Sequence, residues 1–227
     1  MIPNKHRIDL SRYPRRALLE AFKDRELPCF SVTCNVEIGA LRQRLALTGH
    51  RFFITMSWIL SVAANRIPEL RHRLIDGELY EFERVDPGYT VLLDDHTFSF
   101  CDSVHREDFD VYYADVECRI AAARADPDRS TGDKHHMIFI TNVPWLSFTA
   151  VTHPFSAQYA SIPNPHPGQI LHPRGAGGPA PRRPGPPRLG GRLARRPLLR
   201  RGAAPGCRTE LPQAESRSPG PPSGTLT

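Results

Sequence analysis

Phe52 to Ile67, FFITMSWILSVAANRI, is apolar on nearly every side and carries a single charge, Arg66, near its end. Such a run is a mostly buried helix, and Pro68 ends it because proline cannot extend the hydrogen-bond ladder. Its most apolar part, Phe52 to Ala64, is too short to cross a bilayer, which takes about 20 apolar residues. The chain that follows holds three short extended runs, Glu78–Arg84, Tyr89–Leu93 and Thr97–Cys101. Asp86-Pro87-Gly88 and Asp94-Asp95 punctuate them as turn signals, which predicts an antiparallel meander.

Outward from this centre, Pro14 suits the first turn of a helix through RRALLEAF, with Leu18, Leu19 and Phe22 on one side and Leu27-Pro28 at its end. Cys29 to Ile38 alternates Phe30, Val32, Cys34, Val36 and Ile38 against polar neighbours, the pattern of a strand with one buried face. Gly39 to Leu47 is a short amphipathic helix closed by Thr48-Gly49. Arg106 to Ala125 is the longest helix, with Phe109, Tyr112, Tyr113, Val116 and Ile120 near 3.6 spacing. A polar loop, Asp126 to Lys134, leads to an apolar strand, Met137–Val143. This mixture of helices and strands is an α/β layered domain.

Just after Pro163 the composition changes. From Asn164 to Thr227 there is no Phe, Tyr, Trp or Lys, but there are 14 Pro, 11 Gly and 11 Arg. Against two acids, Glu210 and Glu215, those arginines give the tail +9, so the net charge of +6 leaves residues 1–163 at about −3. The basic balance is a property of the tail, and residues 164–227 are expected to be disordered, because such a composition buries too little apolar surface to offset chain entropy. Arginines without interleaved aromatics neutralise phosphates but offer no stacking platform. Non-specific nucleic-acid binding, weakening steeply with salt, is therefore the alternative function, and no specific nucleic-acid partner is expected.

The five cysteines (Cys29, Cys34, Cys101, Cys118, Cys207) form no CxxC pair and no zinc-type cluster with histidine, so they read as free thiols and no metal is expected. The polar N-terminus is not a secretory signal, and a cytoplasmic location without membrane contact is expected. His135-His136 precedes a strand and reads as a solvated loop pair.

Several strings of residues 8–163 resemble the chloramphenicol acetyltransferase family. They are YPRR near the start, LPCFSVTCNVEI, RFFITMSWILSVAANRIPELRHRL, VDPGYTVLLDDHTFSF, DFDVYYADV and VPWLSFTAVTHPF, in this order. Arg15, Cys29, Phe98 and Pro144-Trp145 fall on family landmarks. The resemblance implies a CoA-dependent acyltransferase with a mixed sheet and flanking helices, acting as a homotrimer with sites between subunits. Acetyl-CoA would be the cosubstrate, and chloramphenicol or a similar hydroxyl compound the acceptor. Cys29 and Phe98 would contact the acceptor, and Arg15 would be structural, pairing the aspartate of a C-terminal HHxxxDG motif. That motif's first part supplies the imidazole that takes the acceptor's proton, a task suited to a group titrating near neutrality.

Two departures follow. Ala150 stands where the family carries a serine whose hydroxyl steadies the oxyanion. Ser147 lies three residues earlier and faces the opposite side of the strand by parity, and no HHxxxDG occurs in the chain. No catalytic residue is therefore assigned, and His153 in THPF is only a decoy.

The tail explains the loss when read through the genetic code. Proline is CCN, glycine GGN and arginine usually CGN, so a shift of one base moves each free third base to the centre of a new codon. Pro186-Pro187 then permit His-His, and Gly191-Arg192 permit Asp-Gly. Gly168 to Leu171 permit GKFF, and Gly178 to Leu199 permit VLLPVALVHHALVDGWHVARFF. One constant shift thus permits the family's missing strand, motif and last helix, in order, and the tail reads as frameshifted. The domain of residues 1–163 is then incomplete, lacking the C-terminal strand and helix. Neighbouring strands are expected to carry unpaired edges, Arg15 to lack its carboxylate, and the chain to be poorly soluble with no stable trimer. Resequencing the codons for Ser161 to Asn164 is expected to locate the gained or lost base; an intact frame across them would sink this reading.

Overall fold

The computed structural model describes residues 2–128, 132–143, 151 and 156–168. They form two three-stranded sheets with helices against them. In the first sheet β1 (Lys5–Arg7), β3 (Glu78–Phe82) and β2 (His72–Ile75) lie in the order β1-β3-β2, all antiparallel. In the second, β4 (Asp86–Leu92) lies between β5 (Phe98–Asp102), antiparallel to it, and β6 (Met137–Ile140), parallel to it. Among the described residues no helix is long and apolar enough to cross a membrane.

The buried helix forms as its sequence requires, as α3 (Phe52–Arg66), numbered after α1 (Arg16–Phe22) and α2 (Gly39–Thr48). With α4 (Phe109–Ala125) it covers the second sheet. Ile54, Tyr89, Val91, Cys101, Tyr112, Val116 and Ile120 make one core cluster. Ala64 joins Phe82, Val85, Ile138 and Ile140 in a second, which links the two sheets. The side-chain carboxylate of Asp108 caps α4 by accepting the Val111 N–H at 2.9 Å, satisfying a donor the helix leaves open. Gly49, with a left-handed φ of 71°, closes α2 at the expected place.

Several expectations fail for identifiable reasons. The three extended runs are not one meander, because β3 belongs to the first sheet and only β4 and β5 form a hairpin. Asp86-Pro87-Gly88 is not a turn but the start of β4, and all three residues are buried. The Asp86 carboxylate that would close a turn accepts instead from Arg84 at 2.8 and 3.1 Å and from the His105 N–H at 2.9 Å. Gly88 lies close to β6: a Cβ there would meet Cε of Met137 at 3.0 Å, so that side chain would have to move aside. The real turn signal is Asp76-Gly77, both left-handed at φ 51° and 81°, which joins β2 to β3.

Cys29–Ile38 is not a strand. Among the described residues it has no hydrogen-bonded neighbour strand, and Phe30, Val32 and Val36 are 90%, 77% and 72% exposed. Alternation defines a face, but a strand also needs a ladder partner. The helix at RRALLEAF stops at Phe22, and its Leu18 and Phe22 are exposed, so it packs no apolar side into the core. Likewise α2 has no buried residue, so its amphipathic face is unused. The anticipated open edge of β6 is covered: Phe139 and Thr141 donate to the carbonyls of Pro163 and Pro165 at 3.2 and 3.3 Å. Ala150, Ser147, Pro144-Trp145, His153 and residues 169–227 lie outside the described residues.

The two sheets are tied by Arg73 of β2, a fully buried guanidinium that no carboxylate contacts among the bonds described for it. Nε donates to the His135 carbonyl at 2.8 Å and one terminal nitrogen to Met137 at 2.9 Å. The other terminal nitrogen donates to Leu70 at 2.8 Å and His72 at 2.7 Å. Burial lowers its pKa to about 10, and it remains charged at neutral pH. Replacing Arg73 with Met is expected to strand four carbonyls and cost about 3 kcal/mol in urea unfolding. Arg73→Lys should recover little of this, since an ammonium cannot match the planar fork; a loss under about 1 kcal/mol for Arg73→Met would refute the assignment.

Candidate functional site

A groove of about 320 Å³ opens beside the first sheet, lined by Tyr13, Arg15, Leu18, Leu19, Phe22, Pro28, Phe30 and Leu79. The segment before α1 supplies Tyr13 and Arg15, and the extended chain after Leu27 supplies Pro28 and Phe30. The exposed apolar residues that found no place in the core thus form the groove's walls, with a phenol and a guanidinium as its polar groups.

Arg15 is ion-paired with Glu69 at 2.8 Å, and its side chain is more than half exposed. It is therefore exposed, and Glu69 supplies its carboxylate. Cys29 sits between two groove residues, exposed, with its thiol donating to the Ala160 carbonyl at 3.5 Å. Phe98 is elsewhere, at the start of β5 in the second sheet, half exposed and edge-on to Phe100 at 5.6 Å. The structure thus gathers Arg15 and the surroundings of Cys29 at one groove and leaves Phe98 outside it.

Behind the groove lies a cluster that sequence reasoning missed. The Tyr13 hydroxyl is 3.3 Å from Nδ1 of His72, with the rings edge to face at 5.7 Å. His72 and His6 both approach the same oxygen of Glu81, at 3.8 and 3.4 Å, and Arg71 holds the other oxygen at 2.5 Å. Reading Asp76-Gly77 as a hairpin would have found part of this, because that register sets His72 opposite Glu81. Among the described residues no group of three or more His, Cys, Asp or Glu is placed to hold a metal ion.

His105 and His135 serve structural roles. His105 is buried, with Nδ1 at 2.9 Å from the Ser61 hydroxyl and Nε2 at 3.5 Å from Glu107. Ser61 is fully buried, so its hydroxyl cannot meet a substrate. His135 is not solvated: it is 8% exposed, bonded through Nδ1 to Asp133 at 2.6 Å and edge-on to Tyr159 at 5.1 Å. The Arg73 bond to its carbonyl draws the loop inward and removes His135 from solvent, while His136 stays part-exposed. Cys29, Cys34, Cys101 and Cys118 are free thiols, and burial pushes the Cys101 thiol up to about 11.

A family model described as chloramphenicol acetyltransferase matches residues 3–158. The chain belongs to the chloramphenicol acetyltransferase family. Chloramphenicol acetyltransferase 2 of Escherichia coli is 32% identical over 150 residues, covering 64% of this chain and 70% of that one. The chloramphenicol acetyltransferase of Proteus mirabilis is 30% identical over 161 residues, covering 69% and 71%. A solved chloramphenicol acetyltransferase structure superposes with a TM-score of 0.70 at 26% identity, covering 76% of this chain and 85% of that one. The mixed α/β architecture is thus that of this acetyltransferase family.

Burial holds the imidazoles of His72, His105 and His136 below the ordinary value of 6.5. Below pH 6.5 the unfolded chain binds more protons than the folded one, so stability is full above that value and is lost as pH falls toward the lowered folded values. The melting temperature should be flat from pH 8 to 7 and decline below 6.5. His105→Gln should shallow the decline; a melting temperature that rises on acidification would contradict the assignment.

Proposed function

We propose that this chain descends from an enzyme that moves an acetyl group from acetyl-CoA to a hydroxyl of chloramphenicol or a similar acceptor, and that the chain itself does not turn over. The carrying observation is the absence of HHxxxDG from its 227 residues. An alcohol proton is not lost at neutral pH unaided, and a positioned base contributes about 10²–10⁴ in rate. With Ala150 in place of the hydroxyl donor, an oxyanion hole would lose about a further 10²–10³.

Two observations support this reading. Arg15, which in the family partners the motif's aspartate, is instead paired with Glu69. The family match also ends at residue 158, just short of the compositional change after Pro163. The groove beside Arg15 and Cys29 would be what remains of the acceptor site, and the exposed face of Phe30, Val32 and Val36 the surface that a homotrimer would cover.

A second reading rests on the 11 arginines against two acids of residues 164–227, which favour salt-sensitive, sequence-independent contact with nucleic-acid phosphates.

The purified chain with acetyl-CoA and chloramphenicol should give thiol release at the no-protein rate. The same gene with its frame restored by one base should encode the motif and turn over. Size exclusion should show no sharp trimer peak for the chain as it stands. Turnover well above background by the unrestored chain would sink the inactivity proposal.

A further inference from the structure

We propose that Ser161 to Pro165 form an acceptor-only strap, which closes the free edges of β2 and β6 and joins the two sheets without being a paired strand. In the first sheet β2 is an edge strand, and its Leu74 N–H donates to the Ser161 hydroxyl at 3.1 Å. In the second sheet β6 is an edge strand. Its alternate amides, Phe139 and Thr141, donate outward to the carbonyls of Pro163 and Pro165 at 3.2 and 3.3 Å.

The register explains why prolines serve here. In an extended chain the N–H and C=O of one residue point to the same side, so alternate residues face alternate neighbours. Pro163 and Pro165 are the alternate pair facing β6. They offer it carbonyls and have no N–H to offer, so β6 is served as a donor only. A proline-rich segment that could not sit within a sheet can therefore still cover its edge. The strap is held at its start by the 3-10 turn Ala157–Tyr159, whose Tyr159 hydroxyl donates to the Gly132 carbonyl at 2.9 Å. The Tyr159 ring packs on His135 and Phe139 at 5.1 and 6.2 Å. Ile162, between Ser161 and Pro163, is 5% exposed and anchors the middle in the core.

The strap closes both sheet edges with residues that follow shortly after the family-model match, which ends at residue 158. It stands apart from the acetyl-transfer reading, since it concerns residues outside the groove.

Amide hydrogen exchange on the full chain tests it. Leu74, Phe139 and Thr141 should be protected to the level of the β4–β5 hairpin. Ser161→Ala should speed exchange at Leu74 by about five- to tenfold while the hairpin amides keep their rates. Ser161→Thr, which keeps the hydroxyl acceptor, should retain the protection. Exposed-rate exchange at Phe139 and Thr141 in the native chain would overturn the strap. So would a Ser161→Ala variant that leaves Leu74 unchanged or speeds every amide alike.

Discussion

A charge without a counterion organises this molecule. Arg73 enters the interior on β2 and is solvated there by four backbone carbonyls, two from β2 and the turn before it and two around the start of β6. Taking a guanidinium out of water is costly, and only a full set of acceptors offsets that cost. The acceptors are fixed by backbone position, so the side chain works as a gauge: the two sheets must sit where all four carbonyls converge. Asn65 does the same one layer away, bonding Val85 through both its carbonyl and its N–H at 2.8 and 2.9 Å. Loop backbone that would otherwise be buried without partners is satisfied by side chains from neighbouring elements.

The same rule governs the edges. Strand β6 gives one side to β4 in parallel and the other to the carbonyls of Pro163 and Pro165. The match to the family model ends at residue 158, and the chain continues to satisfy β6 beyond it. Carbonyl acceptance is indifferent to side-chain identity, so a segment that straddles the change of composition after Pro163 still fills the role. On the proposed reading the chemistry would differ, because an acyl transfer that relies on a positioned base and a hydroxyl donor needs side chains at fixed points, which backbone cannot replace.

The helices were the most legible elements. In α4, Tyr112, Val116 and Ile120 recur on one side and are all buried, and α3 is apolar enough to demand burial whatever its partners. The strands were less so. Asp86-Pro87-Gly88 has the residues of a turn and lies within a strand, because Arg84 and His105 take the carboxylate that would have closed the turn. Cys29–Ile38 has the alternation of a strand, but among the described residues no strand pairs with it. Of the candidate site, Arg15 and Cys29 were named from motif strings. The Tyr13–His72–Glu81 cluster behind the groove was not, since it depends on a hairpin register.

Sequence alone determined the lineage, the helices, the loss of HHxxxDG and the change of composition after Pro163, since each of these is a property of residue order. Tertiary structure decided the rest. It set which strands share a sheet, gave Arg15 the carboxylate of Glu69 and drew His135 out of solvent. It also laid Ser161 to Pro165 along two open edges. The reason is common to all four: a polar group takes whichever partner packing brings within about 3 Å, and sequence distance does not report which that is.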